Sequence, residues 1–409
     1  MKQRNKMSQT CSPTENQPES EFHVFGLPWP EINDGLSYND VVPRSDSELT
    51  LIEFYSGKYK DSAPLQGWLQ RIENGQITID GGIVKDPDSI LRAGSELVYH
   101  RLPWKEPDAP YLIGVLYEDD DMIALNKPSG LQVLPGGLFQ QRTVLTQLQW
   151  RTGKQSSSLP TQEPHAVPVH RLGRGTSGIL LCAKMKLAKT RLAAYFAEKT
   201  SNIGTSSDTN RRVGTRKISK TYRALVNGIL DKDKVTHMTA SFFWGNITVL
   251  YDHDPCTRKV IINQPIGIMR YPGVAKGLYV ASSSGKPALS NVDVLERDKE
   301  RNCTLVQVEI QSGRPHQIRI HLSFIGHPLS GDPLYVAGGQ PKCFDAEFAD
   351  KSIAQDGGYQ RPIKPVPGDC GYYLHAHKVA LSHPTTNEEL SITAPLPSIL
   401  HTKKEATET

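Results

Sequence analysis

The chain has 409 residues, 37% of them hydrophobic, with 47 basic against 43 acidic side chains and a net charge of +4. That length gives two or three domains with at least one sizeable core, and a composition near the globular average excludes a wholly disordered chain. So small a charge excludes a polycationic tail as the main device for holding an anionic partner, and leaves a local basic groove open.

Residues 1–22 are polar, contain three glutamates and lack an apolar signal core, so they read as neither a secretory signal nor an acidic-poor organelle leader. Residues 1–46 as a whole are expected to be a disordered or loosely ordered tail. From 47 to 105 a small unit follows. The run from Ser45 opens with a serine or aspartate cap and continues as an amphipathic helix, and a second helix spans Pro64 to Glu73. Two alternating runs around Asp80-Gly81 form a hairpin, and Glu96 to His100 reads as another strand. A proline-stiffened stretch, with 106–110 as the linker itself, leads to the main domain over 111–400. There short β-rich runs alternate with turns, and the clearest helix covers Leu187 to Lys199, with Leu187, Leu192, Ala194, Tyr195 and Phe196 toward the core. Many short strands with few helices point to an α+β domain on a mixed, largely antiparallel sheet. Inserts at 200–217 and 336–372 read as surface excursions, and 401–409 as a tail.

The six cysteines, at 11, 182, 256, 303, 343 and 370, make no C-x-x-C pair. They support neither a zinc ribbon nor a redox motif, and scattered reduced thiols imply an intracellular compartment. No apolar run approaches the length of a membrane span.

Four stretches carry the chemistry. Asn126-Lys127-Pro128-Ser129-Gly130 ends a strand in a turn. His170-Arg171-Leu172-Gly173-Arg174-Gly175-Thr176-Ser177-Gly178 contains a nominal G-x-G-x-x-G. It runs into the strand-like Ile179-Leu180-Leu181-Cys182 rather than a helix, and no acidic residue ends a second strand about 20 residues on, so a nucleotide cofactor is not expected. Lys220-Thr221-Tyr222 lies on an alternating strand, where an aromatic is most often simply packed. Gly313-Arg314-Pro315-His316-Gln317-Ile318-Arg319-Ile320-His321 is followed by Gly331-Asp332. His316 and His321 lack the carboxylate or cysteine partners of a metal site, so no metal is expected. The charge density of this half-buried segment calls for an anionic partner.

Together and in this order the stretches resemble the RluA-type pseudouridine synthases, with their lysine–proline–glycine turn, H-R-L-D-x-x-T-S-G loop, K-x-Y strand and G-R-x-H-Q-I-R-x-H segment. The resemblance covers about 111 to 395. The unit at 47–105, with Arg71 and Lys85 near its turn, resembles the S-four-type RNA-binding domain that often precedes it. The resemblance implies isomerisation of uridine within an RNA of ribosomal or transfer type, without cofactor, metal or membrane. It gives Tyr222 the stacking role and Arg319 the arginine that partners the catalytic aspartate. His170, Arg171, Thr176 and Ser177 shape the loop, His170 and Arg171 also contact RNA with Arg174, Arg71 and Lys85, and Lys127 and Arg314 make RNA or structural contacts. At the aspartate's place this chain has Gly173, which has no side chain to ionise or attack. Three readings stay open: an active enzyme with another acid (Asp332, or one of Asp119 to Asp121), an RNA-binding relative without catalysis, or a glycine peculiar to this copy of the sequence.

Overall fold

A computed structural model describes residues 23–60, 62–153, 162–201, 218–231, 259–271, 274–343, 353–362 and 368–408. The first helix of the small unit, Leu51–Lys58, starts from Thr50 rather than from the serine or aspartate expected. The Thr50 hydroxyl accepts from the Glu53 amide and the Glu53 carboxylate accepts from the Thr50 amide, a reciprocal cap that satisfies two otherwise orphaned donors. The second helix, Leu65–Glu73, begins after Pro64. Strands Ile77–Ile79 and Gly82–Val84 form the expected hairpin, with Asp80 and Gly81 at φ 50° and 83°, the left-handed pair that matches strand twist.

The loose tail expected over 1–46 is corrected by two strands. Leu36–Val41 pairs along the whole of Glu96–Arg101 and completes a four-stranded sheet, and Val24–Phe25 pairs with Ile113–Glu118. Leu36–Val41 is exposed along most of its length, so its sequence carries no core-facing alternation to betray it. Residues 1–22 lie outside the described residues. The linker at 106–110 is also no free spacer. Glu106 is buried, and its carboxylate accepts from the Asn33 side chain and the backbone N–H groups of Gln140, Gln141 and Arg142.

The main domain is α+β. Its eleven-stranded sheet runs in the order Val24–Phe25, Ile113–Glu118, Met122–Lys127, Ser177–Met185, Leu374–Ser382, Ile218–Asn227, Cys303–Ile310, Leu289–Asp298 and Lys259–Asn263, with two further strands paired off this path. Among the described strands, only Leu374–Ser382 against Ser177–Met185 is parallel. Alternate residues serve opposite faces. Ile123, Leu125, Leu180 and Cys182 pack toward helices Val144–Thr152 and Gln317–Phe324, while Met122, Ala124, Ile179, Leu181 and Ala183 pack toward helix Lys186–Ser201. Two covered faces explain why these strands read as nearly continuous apolar runs. In helix Lys186–Ser201 the core face is Ala188, Leu192 and Tyr195; Leu187 and Ala194, expected inside, are exposed.

Both chain-end expectations for the main domain change as well. Residues Lys403–Glu408 form a helix, and Glu405 pairs with Arg223 at 2.8 Å, so the described part of the expected tail at 401–409 is anchored rather than loose. The insert at 200–217 lies outside the described residues from 202 onward. The insert at 336–372 is partly described, and it is no mere surface excursion. Its hairpin of Ile353–Gln355 and Gln360–Pro362 lays Asp356 against the small unit. Asp356 is buried, accepts from Arg101 and from Arg361 at 3.0 Å, and lies 3.9 Å from Arg71. The Gln76 side chain donates to Gly357 O at 2.6 Å. Buried arginines stripped of their carboxylate are costly, so Asp356→Asn is expected to lose about 3–5 kcal/mol of unfolding free energy. Urea titration with limited proteolysis at the hairpin measures this; an unchanged midpoint would remove Asp356 as the fastener.

Candidate active site

The sheet, helix Gln317–Phe324 and the loop at 169–176 enclose a cavity of about 700 Å³. Gly173, Tyr222 and Arg319, distant in sequence, all line it. So do His170, Arg171, Arg174 and Arg314, together with Lys220, which sequence reasoning did not single out. Five basic side chains (Arg171, Arg174, Lys220, Arg314 and Arg319) thus face one carboxylate, Asp369, in the described lining. That balance favours a polyanion, even though the whole chain is nearly neutral. Tyr222 projects where its strand slips register against Leu374–Ser382, an irregularity between Thr221 and Tyr222 that re-aims the side chain. Burial pushes its phenol well above the usual range, so at neutral pH it presents a protonated aromatic ring.

Arg319 lies on helix Gln317–Phe324 and is almost wholly buried. Its Nε and Nη2 donate to the two oxygens of Asp332 at 2.7 and 2.8 Å. Asp332 Oδ1 also accepts from the Leu334 and Tyr335 amides. Burial disfavours the charge and is the largest single influence, but the bond to Asp332, the charge of Asp332 and the neighbouring Tyr372 and Tyr335 together outweigh it and hold the guanidinium above its ordinary pKa. The arginine is therefore answered. Asp332 does not line the cavity, and none of Asp119 to Asp121 does. Asp119 is instead committed to Tyr117, His383 and the amides of Asp121 and Met122. Arg319 Nη1 keeps no hydrogen-bond partner among the described residues.

The loop is held from behind. Lys127 is fully buried, and its ammonium donates to the carbonyls of Pro128, Leu131 and Arg174 at 2.8, 2.8 and 3.1 Å. Ser129 Oγ donates to Gly175 O, and the Gly130 amide donates to Arg174 O. The Lys-Pro-Ser-Gly turn is thus a clamp on residues 174 and 175. From the front, the Tyr372 hydroxyl stands 3.3 Å from Thr176 Oγ1, and the Tyr372 ring lies 4.3 Å under the Arg319 guanidinium. Ser177 Oγ meets His375 Nδ1 at 2.8 Å. His170 Nε2 accepts from the Leu181 amide, which places its proton on Nδ1.

Comparison with known proteins comes to the same place. A family model described as RNA pseudouridylate synthase matches residues 121–324. "RNA pseudouridine synthase 5" of Arabidopsis thaliana is 64% identical over 387 residues, which is 93% of this chain and 98% of the relative. This chain belongs to the RNA pseudouridine synthase family. "RNA pseudouridine synthase 5" of Oryza sativa subsp. japonica is 60% identical over 401 residues, 96% of this chain and 94% of that one. The "Ribosomal large subunit pseudouridine synthase D" of Pseudomonas aeruginosa is 29% identical over 338 residues, covering 81% and 83% of the two chains.

Family membership does not make every basic residue a contact for RNA. Lys127 has no exposed surface and spends its donors on carbonyls, so its expected contact with RNA is corrected and the structural alternative, fastening the loop, is the role its setting allows. Arg71 is likewise corrected: it is buried beside Asp356 and stacked 4.7 Å from the Trp68 ring and 5.0 Å from that of Tyr99. Lys85 is exposed on the small unit and is not part of the cavity. Asp369 and Tyr372 were missed because they lie about 200 residues beyond the loop inside a Gly- and Pro-rich insert, where no periodicity points inward. Two outcomes are expected. Lys127→Met strips the carbonyls of Pro128 and Leu131 of this donor, leaves Arg174 O with the Gly130 amide alone, and lowers stability by roughly 2–4 kcal/mol, with faster amide exchange at 174–176; unchanged exchange would rule out the clamp. Burial also pushes His316, His321 and His375 down to about 4 from 6.5, so the unfolded chain takes up their protons first on acidification. Stability is then complete above about pH 6.5 and falls as pH drops toward 4. A urea midpoint that stays flat across that window would contradict it.

Proposed function

We propose that this chain isomerises uridine to pseudouridine in a structured RNA of ribosomal or transfer type, without cofactor or metal. The convergence of Tyr222, Arg319 and the loop carrying Gly173 on one basic cavity carries the reading. A target base enters by leaving its stack, at a cost of a few kcal/mol, and the pocket contacts offset it. The ring of Tyr222 offers it a stacking surface, and Arg171 and Arg314 at the mouth take flanking phosphates. Gly173 stands where the family's catalytic aspartate is expected, and Arg319 keeps the orientation of that aspartate's partner with Asp332 as its counter-charge. The small unit, redrawn to begin near residue 36, serves as an S-four-like RNA-binding module with Lys85 on its open surface.

A second reading, an RNA-binding relative without turnover, is favoured by the missing side chain at 173. The two separate in one experiment. Full-length protein is incubated with total cellular RNA and with ribosomal and transfer RNA fractions, new pseudouridines are mapped, and binding is followed against salt. Under the first reading new pseudouridine appears with the unaltered chain. Under the second, binding is retained with a salt slope of about −0.7 to −0.9 per phosphate contacted. In that case product appears only with Gly173→Asp, an outcome that rejects catalysis by the native chain.

A further inference from the structure

The glycines of the loop are not demanded by backbone geometry. Neither Gly173 nor Gly175 is among the residues with positive φ, so a side chain is conformationally allowed at both. Space is what limits one, strictly at Gly175, where the neighbours are backbone, and less so at Gly173, where the tip of the Tyr372 side chain has to give way. A Cβ at Gly173 would stand 2.9 Å from the Tyr372 hydroxyl. A Cβ at Gly175 would stand 2.6 Å from Asp369 O and 2.8 Å from Cys370 Cα. The segment from Asp369 to Tyr372 therefore occupies the volume that two loop side chains would fill.

The same segment brings what the loop lacks. Asp369 is the one acidic residue in the described lining of the cavity. Its Oδ1 accepts from Arg174 Nε at 3.0 Å and Nη2 at 2.5 Å, which ties it to the side chain of the residue that follows Gly173. Its charge acts on the Tyr372 phenol, which adjoins Gly173, and on the buried His316 ring. Other carboxylates weighed for the role are committed elsewhere: Asp332 lies behind Arg319, and Asp119 is held by four donors.

We propose that Asp369, carried in by the 369–372 segment and oriented by Arg174, is the catalytic carboxylate of this cavity. The inference rests on the isomerase reading above and assigns its missing group. In the step it performs, a carboxylate oxygen bonds to ribose C1′ as the C1′–N1 bond breaks, and the bonding pair leaves with the uracil. The ring turns, C5 bonds to C1′, and the carboxylate departs with its own electron pair. The proton lost from C5 ends on N1 through solvent, so the base is isomerised with no oxidant or reductant.

The test is single-turnover pseudouridine formation by full-length wild type, Asp369→Asn, Asp369→Glu and the double variant Gly173→Asp/Asp369→Asn. RNA affinity and melting temperature are measured alongside. Asp369→Asn is expected to lower the rate by about 10²–10⁴-fold, with RNA affinity and melting temperature retained. Asp369→Glu keeps part of the rate, and the double variant regains it from position 173. Asp369→Asn turning over at the rate of an active wild type overturns this inference alone. So does a loss of rate that merely follows a loss of melting temperature and affinity, since that marks Asp369 as a structural partner of Arg174. A wild type that forms no pseudouridine rejects both this assignment and the isomerase reading.

Discussion

A guanidinium buried at the wall of a cavity has to be neutralised, and the Arg319–Asp332 pair is how this protein does it. Both oxygens of Asp332 are taken by Arg319, and one of them also accepts two backbone amides, so the carboxylate is over-determined and the arginine cannot swing. The pair fixes helix Gln317–Phe324 against the segment after Gly331 and leaves Nη1 as the arginine's uncommitted donor. The site therefore keeps its cation in place whether or not residue 173 has a side chain. That independence is what allows a glycine there without collapse of the pocket.

The loop opposite is held through its backbone as well as through the side chains of Arg174 and Thr176. Lys127, Ser129 and Gly130 bind the backbone of residues 174 and 175 from behind, and Tyr372 and Cys370 close on it from the front. Close approach of this kind is available only to residues without a Cβ, which links the two glycines to the segment that covers them. A change at 173 or 175 is for this reason also a change to the packing of 369–372.

That segment ends an insert whose earlier hairpin is tied to the small unit through Asp356. One stretch of chain thus touches the N-terminal sheet at one end and the cavity at the other. Asp356 answers Arg101 and Arg361 directly and sits near Arg71, all in a setting where an unpaired charge would be costly. The small unit is therefore fastened to the main domain by buried electrostatics as well as by the packed strap around Glu106.

Much of this was legible in sequence where the signal is local. The apolar runs of Met122–Lys127 and Ser177–Met185, the Asp80-Gly81 turn and the four ordered motifs are local patterns that the chain writes directly. In helix Lys186–Ser201 Leu192 and Tyr195 are buried as expected, but Leu187 is apolar yet faces solvent while its neighbour Ala188 is buried. Lys127 and Arg71 looked like surface cations, since sequence gives residue type but not depth. What sequence alone determined was the α+β class, the family and the convergence expected of positions 173, 222 and 319. Tertiary structure alone decided that Asp332 answers Arg319, that the glycines make room for Tyr372 and Cys370, and that Asp369 enters the cavity. Those are contacts between residues up to about 200 positions apart, and no short-range pattern encodes which distant side chain fills a space left by a missing Cβ.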